Sequence, residues 1–258
     1  MDDSLNKKPS GISGSALRVW GMLFLTLGIV GRGIIRNKLL GLGTISSAQL
    51  LELLQSSSDM MVMATVSLVL SAAYTCAVPI FTFLLVEGFC HTGDYRKYLL
   101  RVAGLALISE LPYNLAMSGK LLDTGSRNPV FGLVIGLIAL YFYRRYSEKS
   151  WANRGIQVLV TLAAVLWAFM LGIDEGVPLL ILIAALWALR SKPIYRNLVG
   201  CIAAILCSVL SPFYLASPMA FVALHFYNGE KGESSRTVNY LAYPAILLVV
   251  GICAKFLL

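Results

Sequence analysis

Nine predominantly apolar runs follow one another along the chain, and together they leave little room for any fold but a membrane bundle. They are Ala16–Ile35, Met60–Phe89, Leu99–Met117, Val130–Tyr143, Ile156–Gly172, Val177–Leu189, Leu198–Leu210, Pro212–Tyr227 and Tyr240–Leu258. A helix that crosses a bilayer needs about 20 mostly apolar residues. Several runs are shorter and read either as half-helices or as helices longer than their apolar centre. Charge is correspondingly scarce, at 13% of 258 residues against about 25% in soluble domains. The mean hydropathy is +0.77. These values exclude a soluble enzyme, a nucleic-acid-binding domain and a disordered tail. The expected architecture is all-α: a polytopic transmembrane bundle of about nine helices (eight to ten), residues 16–258, behind a short N-terminal tail at 1–15.

The basic residues predict an orientation, because lysine and arginine concentrate on the cytoplasmic side. With the N-terminus inside, 15 of the 21 Lys and Arg residues fall on the cytoplasmic face. Arg32, Arg36, Lys38, Lys120, Arg127 and Lys255 fall outside. Nine crossings then put the C-terminus outside. The cytoplasmic rim suits anionic lipid in a plasma membrane rather than nucleic acid. Within 41–59, the amphipathic run Leu50–Leu54 reads equally as an interfacial helix or a solvated loop. The five cysteines lie in or beside apolar segments without a CxxC pair, and read as small buried hydrophobes.

Ionisable residues inside a span are costly and face the bundle interior. Glu87 closes the second run and His91 follows four residues later, on the same face if the helix continues. A carboxylate one turn from an imidazole fixes its tautomer and raises its basicity, as general acid–base chemistry requires; an interfacial capping pair is the plainer alternative. Glu110 sits in the third run just before Pro112, where it either pairs with a basic group or stays protonated, and where a bond across helices and a part in catalysis are equally open. His225, near the end of the eighth run, reads as structural. Asp174 and Glu175 fall in a short outer loop and are expected to be solvated. Pro79 is expected to kink the second helix.

The stretch Pro79-Ile80-Phe81-Thr82-Phe83-Leu84-Leu85-Val86-Glu87-Gly88-Phe89-Cys90-His91-Thr92 resembles the central motif of the TraX family. The likeness continues through Tyr98–Arg101 and Ala106–Ala116, and its most specific part is 79–116. Asn128, Gly136, Tyr227-Asn228-Gly229 with Gly232, and Tyr243-Pro244 also fit. The resemblance implies a polytopic inner-membrane protein, similar to transmembrane acyltransferases. Acyl-CoA or acetyl-CoA would be the donor, and a peptide, glycan or lipid headgroup the acceptor; the family is tied to acetylation of a pilin subunit. On that basis His91 with Glu87 is the candidate base, Glu110 a further catalytic candidate, and Arg101 and Tyr98 are candidates to hold the CoA. The family's polar positions are occupied here by Gly28, Ile29, Thr75 and Ile246. A non-catalytic membrane scaffold or subunit is the alternative, and a small-solute transporter the second.

Overall fold

The protein is described by a computed structural model covering residues 11–40, 57–233 and 235–256. Among the described residues there are nine α-helices. α1 spans Gly14–Ile29 and runs on as a π-helical stretch, Val30–Leu39. α2 spans Ser58–His91, α3 Tyr95–Ser118 and α4 Val130–Arg145. α5 spans Trp151–Met170, α6 Gly176–Ala188 and α7 Pro193–Leu206. Two short 3₁₀ turns, Cys207–Val209 and Pro212–Ala216, lead to α8, Met219–His225, and α9 is Arg236–Phe256. Gly14–Asn37, Ser58–His91 and Trp151–Met170 are long and apolar enough to cross a bilayer alone; Gly176–Ala188, Pro193–Val209 and Tyr240–Phe256 are shorter apolar helices. The chain is a multi-pass membrane protein. The amphipathic run at Leu50–Leu54 lies outside the described residues.

Small polar residues start the helices. The side chains of Ser13, Ser57, Asp94 and Ser150 each accept a bond from the amide three residues on, satisfying a donor the helix itself leaves open. α3 stops at Gly119, whose φ of 72° is left-handed. α2 stays helical through Pro79 to His91. That continuity puts residues 79, 83, 87 and 91 on one face.

The core is one contiguous cluster centred on α2 and α6. α1 packs along α2, and α9 along α3. The α1–α2 approach depends on a missing side chain, since a Cβ on Gly28 would lie 2.1 Å from Cβ of Tyr74. Small residues at helix contacts are how membrane bundles gain close packing. Outward-facing apolar side chains, such as Leu159, Leu162, Trp167 and Phe169 of α5, are more than half exposed, as a lipid-facing surface requires.

Two expectations are corrected. The eighth run is not a continuous span: Pro212–Ala216 forms a 3₁₀ turn and only Met219–His225 is α-helical. Side-chain contacts to α2 hold this broken stretch, with Thr75 donating to the carbonyl of Phe213 (2.9 Å) and Cys76 Sγ to that of Ala216 (3.3 Å). Asp174 and Glu175 are not solvated but turn into the bundle, where Arg32 bridges them.

Candidate functional site

The start of α1, the end of α2, the start of α3 and the segment 227–231 enclose a vestibule of about 880 Å³ at one end of the bundle. Glycine builds one wall. Gly229 and Gly232 have φ of 79° and 70°, and a Cβ on Gly232 would strike the Ser15 hydroxyl at 2.1 Å. This backbone lets 226–230 fold over the head of α1. The amide of Ile12 donates to Phe226 O (2.8 Å), that of Asn228 to Ile12 O (3.1 Å) and that of Gly14 to Glu230 O (2.8 Å).

Glu87, His91, Tyr98 and Arg101 all line this vestibule, with Arg18, Lys97 and Lys231. His91 Nδ1 is 2.9 Å from the Glu87 carbonyl and 3.5 Å from Glu87 Oε2. A carbonyl only accepts, so Nδ1 carries a proton, and in the neutral imidazole the lone pair is then on Nε2. The other Glu87 oxygen is 3.4 Å from Arg196 Nη1. Arg196 is only 6% exposed and lies 4.7 Å from the centre of the Phe83 ring. Tyr98 lies over Gly88, whose Cβ would sit 2.8 Å from the Tyr98 hydroxyl. The Arg101 side chain is anchored by Nε donating to the Lys97 carbonyl at 3.1 Å, and remains exposed.

A second cavity, of about 300 Å³, shares Arg18, Gly88, Tyr98, Arg101, Lys231 and Tyr240 with the vestibule and continues into the bundle as far as Tyr74 and Tyr243. Behind Tyr74 stands a buried charge cluster. Arg32 lies 4.0 Å over the Tyr74 ring, 2.8 Å from Glu175 and 3.5 Å from Asp174. The Tyr74 hydroxyl donates to Asp174 (3.4 Å) and that of Tyr214 to Glu175. Glu175 has a left-handed φ of 54°.

Glu110 is not brought to the vestibule. Its Oε2 accepts from the Asn128 amide (3.1 Å) and from Asn128 Nδ2 (2.6 Å), and Oε1 is 3.8 Å from Arg127. Asn128 Oδ1 in turn accepts from the Val130 amide at the start of α4 (3.0 Å), so the pair ties α3 to the head of α4. His225 is exposed, beside Phe226. Sequence reasoning missed Arg196, which stands among rim cations, and the Arg32 cluster. An arginine near the end of the first apolar run, three residues before Ile35, was the available signal for the latter.

The family model described as TraX protein matches residues 59–254. The chain belongs to the TraX family. It is also 25% identical over 203 residues to "Probable fimbrial assembly protein FimC, serogroup H1" of Dichelobacter nodosus, covering 70% of this chain and 80% of that protein. No solved structure matches. Positions 28, 75 and 246 serve the packing of this bundle. Gly28 admits Tyr74, Thr75 is fully buried against the 3₁₀ turn, and Ile246 packs against the core.

Proposed function

We propose that this TraX-family protein is a membrane acyltransferase that takes an acyl group from acyl-CoA at the vestibule. In this reading the basic vestibule end is cytoplasmic, the C-terminus is outside, and the membrane is the plasma membrane. The observation that carries it is the convergence of Glu87, His91, Tyr98 and Arg101 on one cavity with a continuation into the bundle. Arg101, with Lys97 and Lys231, supplies cations for the donor's phosphates, and Tyr98 a ring for its adenine. His91 Nε2 takes the proton of an acceptor amine or hydroxyl, and Glu87 with the Nδ1–H contact steadies the ring as charge develops. The acceptor N or O bonds to the acyl carbon and the C–S bond of the thioester breaks. The proton held by His91 then passes to the departing CoA thiolate. The acceptor is a peptide, glycan or lipid headgroup, and the name of the fimbrial assembly relative makes a pilin-like peptide the first to try.

The test is binding and turnover in lipid nanodiscs. Arg101→Ala is expected to weaken binding of a non-hydrolysable acyl-CoA thioether by about tenfold, for a lost charged contact of about 1.4 kcal/mol. His91→Ala should retain binding and lose transfer. Unaltered cellular phenotype in His91→Ala, together with no thioether binding, overturns the enzyme reading. The packing groups at positions 28, 75 and 246 favour a second reading, a scaffold subunit, which predicts a stoichiometric partner on purification instead.

A further inference from the structure

The inner cavity carries a statement about the donor that the vestibule alone does not. It runs along α2 from Gly88 to Tyr74, 14 residues or about 21 Å of helix. Its polar side chains are confined to its two ends. Arg18, Tyr98, Arg101, Lys231 and Tyr240 stand where it joins the vestibule, and Tyr74 and Tyr243 stand at the far end. Between them the walls are apolar, with Met22, Leu25, Val78, Phe81, Val102 and Leu105 among them. Along the middle of the cavity the backbone belongs to helices, so its amides and carbonyls are bonded within them, apart from the one bond that Pro79 removes from α2. The Tyr74 hydroxyl is turned to Asp174, which does not line the cavity.

Two parts of an acyl-CoA could enter such a space. The pantetheine arm carries two amides, and along the middle of this channel neither would find a partner; burying an unpartnered amide is strongly unfavourable. An alkyl chain needs no partner and gains from leaving water. The volume of about 300 Å³ corresponds to about ten groups of the size of a water molecule, at ~30 Å³ each, far more than an acetyl methyl fills. Resting on the acyltransferase reading above, we propose that the donor carries a fatty acyl chain of about eight to twelve carbons. The chain occupies this channel, and the CoA head and the thioester stay in the vestibule beside His91.

The experiment measures affinity of the whole protein, in phosphatidylcholine nanodiscs, for CoA thioethers bearing acetyl, butyryl, octanoyl, decanoyl and palmitoyl-length chains, with empty nanodiscs subtracted for partition into lipid. At about 0.8 kcal/mol per buried methylene, each added CH₂ should tighten binding by about fourfold until the channel is full, after which affinity levels off. Leu105→Trp and Val78→Phe, which narrow the walls, should leave acetyl affinity unchanged and end the rise at a shorter chain. If either variant fails to fold, the chain-length series on the unmodified protein decides by itself. Equal affinity for the acetyl and decanoyl compounds overturns the fatty-chain inference and leaves the acyltransferase reading standing. Absence of binding by every compound removes the acyltransferase reading, and this inference with it.

Discussion

Arg196 lies in the first turn of α7 with its guanidinium over Phe83 and one nitrogen 3.4 Å from Glu87. The side chain is 8% exposed and that of Glu87 23%, so neither charge is fully screened by water. Removing the cation leaves a carboxylate with His91 as its remaining ion-pair partner among the described residues. Arg196→Ala should therefore destabilise the protein by about 2 kcal/mol. Arg196→Lys should recover part of this, because an ammonium restores the charge but not the planar contact with Phe83. Thermal unfolding followed by tryptophan fluorescence in nanodiscs checks the order: wild type, then Arg196→Lys, then Arg196→Ala. A flat series would show Arg196 to be only a rim cation. Its role was hidden in the sequence for a simple reason. Arg196 stands in a basic stretch with Arg190 and Lys192, and its carboxylate partner is 109 residues away. Glu87 and His91 were legible because an i,i+4 pair is local.

Helix ends carry their own chemistry. Asp94 caps α3, and bonds from the Lys97 amide, then its ammonium, hold the Asp94 carboxyl below its ordinary value. The folded state thus binds that proton less readily than the unfolded chain. The contribution of the cap is complete above pH about 4, the ordinary carboxylate value, and disappears as pH falls through the lower folded value. Asp94→Asn keeps an accepting oxygen and removes the titration. The stability advantage of wild type over Asp94→Asn should shrink as pH falls from about 5 to about 3, in parallel melts. A constant difference would mean that the carboxylate is not the capping group. At this scale most elements could be read from hydropathy, and the limits fell where local pattern stops. The segment 212–216 reads as apolar, yet it departs from the α-helix at Pro212 and Pro218. Its carbonyls are met by Thr75 and Cys76 of α2, more than 130 residues earlier. A hydropathy window sees the apolar composition and not the partner.

Across the whole molecule, the Arg32 cluster joins parts that are distant in the chain: the π-helical end of α1, the middle of α2, the α5–α6 loop and the 3₁₀ turn bearing Tyr214. Arg32 is 15% exposed and Glu175 9%. Breaking a buried pair of this kind costs about 3–5 kcal/mol, and Arg32→Met should lower stability by that order. Hydrogen exchange should rise together in 171–175 and 212–217, while α4, which packs on α2, α3, α5 and α6, changes less. Exchange confined to α1 would argue against a shared tie. Asp174 and Glu175 looked solvated in the sequence because they interrupt two apolar runs, and their cation lies 142 residues upstream.

The shortness of α7 has a consequence for the lipid around the protein. Its 14 residues rise about 21 Å, and the return path is a 3₁₀ turn and a seven-residue helix. The outward side chains of this flank, among them Ile194, Leu198, Leu206, Val209 and Val222, are apolar and exposed, so acyl chains must meet them directly. A relaxed bilayer offers a hydrocarbon layer of about 30 Å. With the 3₁₀ residues Cys207–Val209 this flank reaches about 27 Å, a few ångströms short of that layer and shorter than the flanks of α2 and α5. Mismatch of this kind carries an elastic cost of a fraction of a kcal/mol per ångström, and it falls on the α7–α8 side alone.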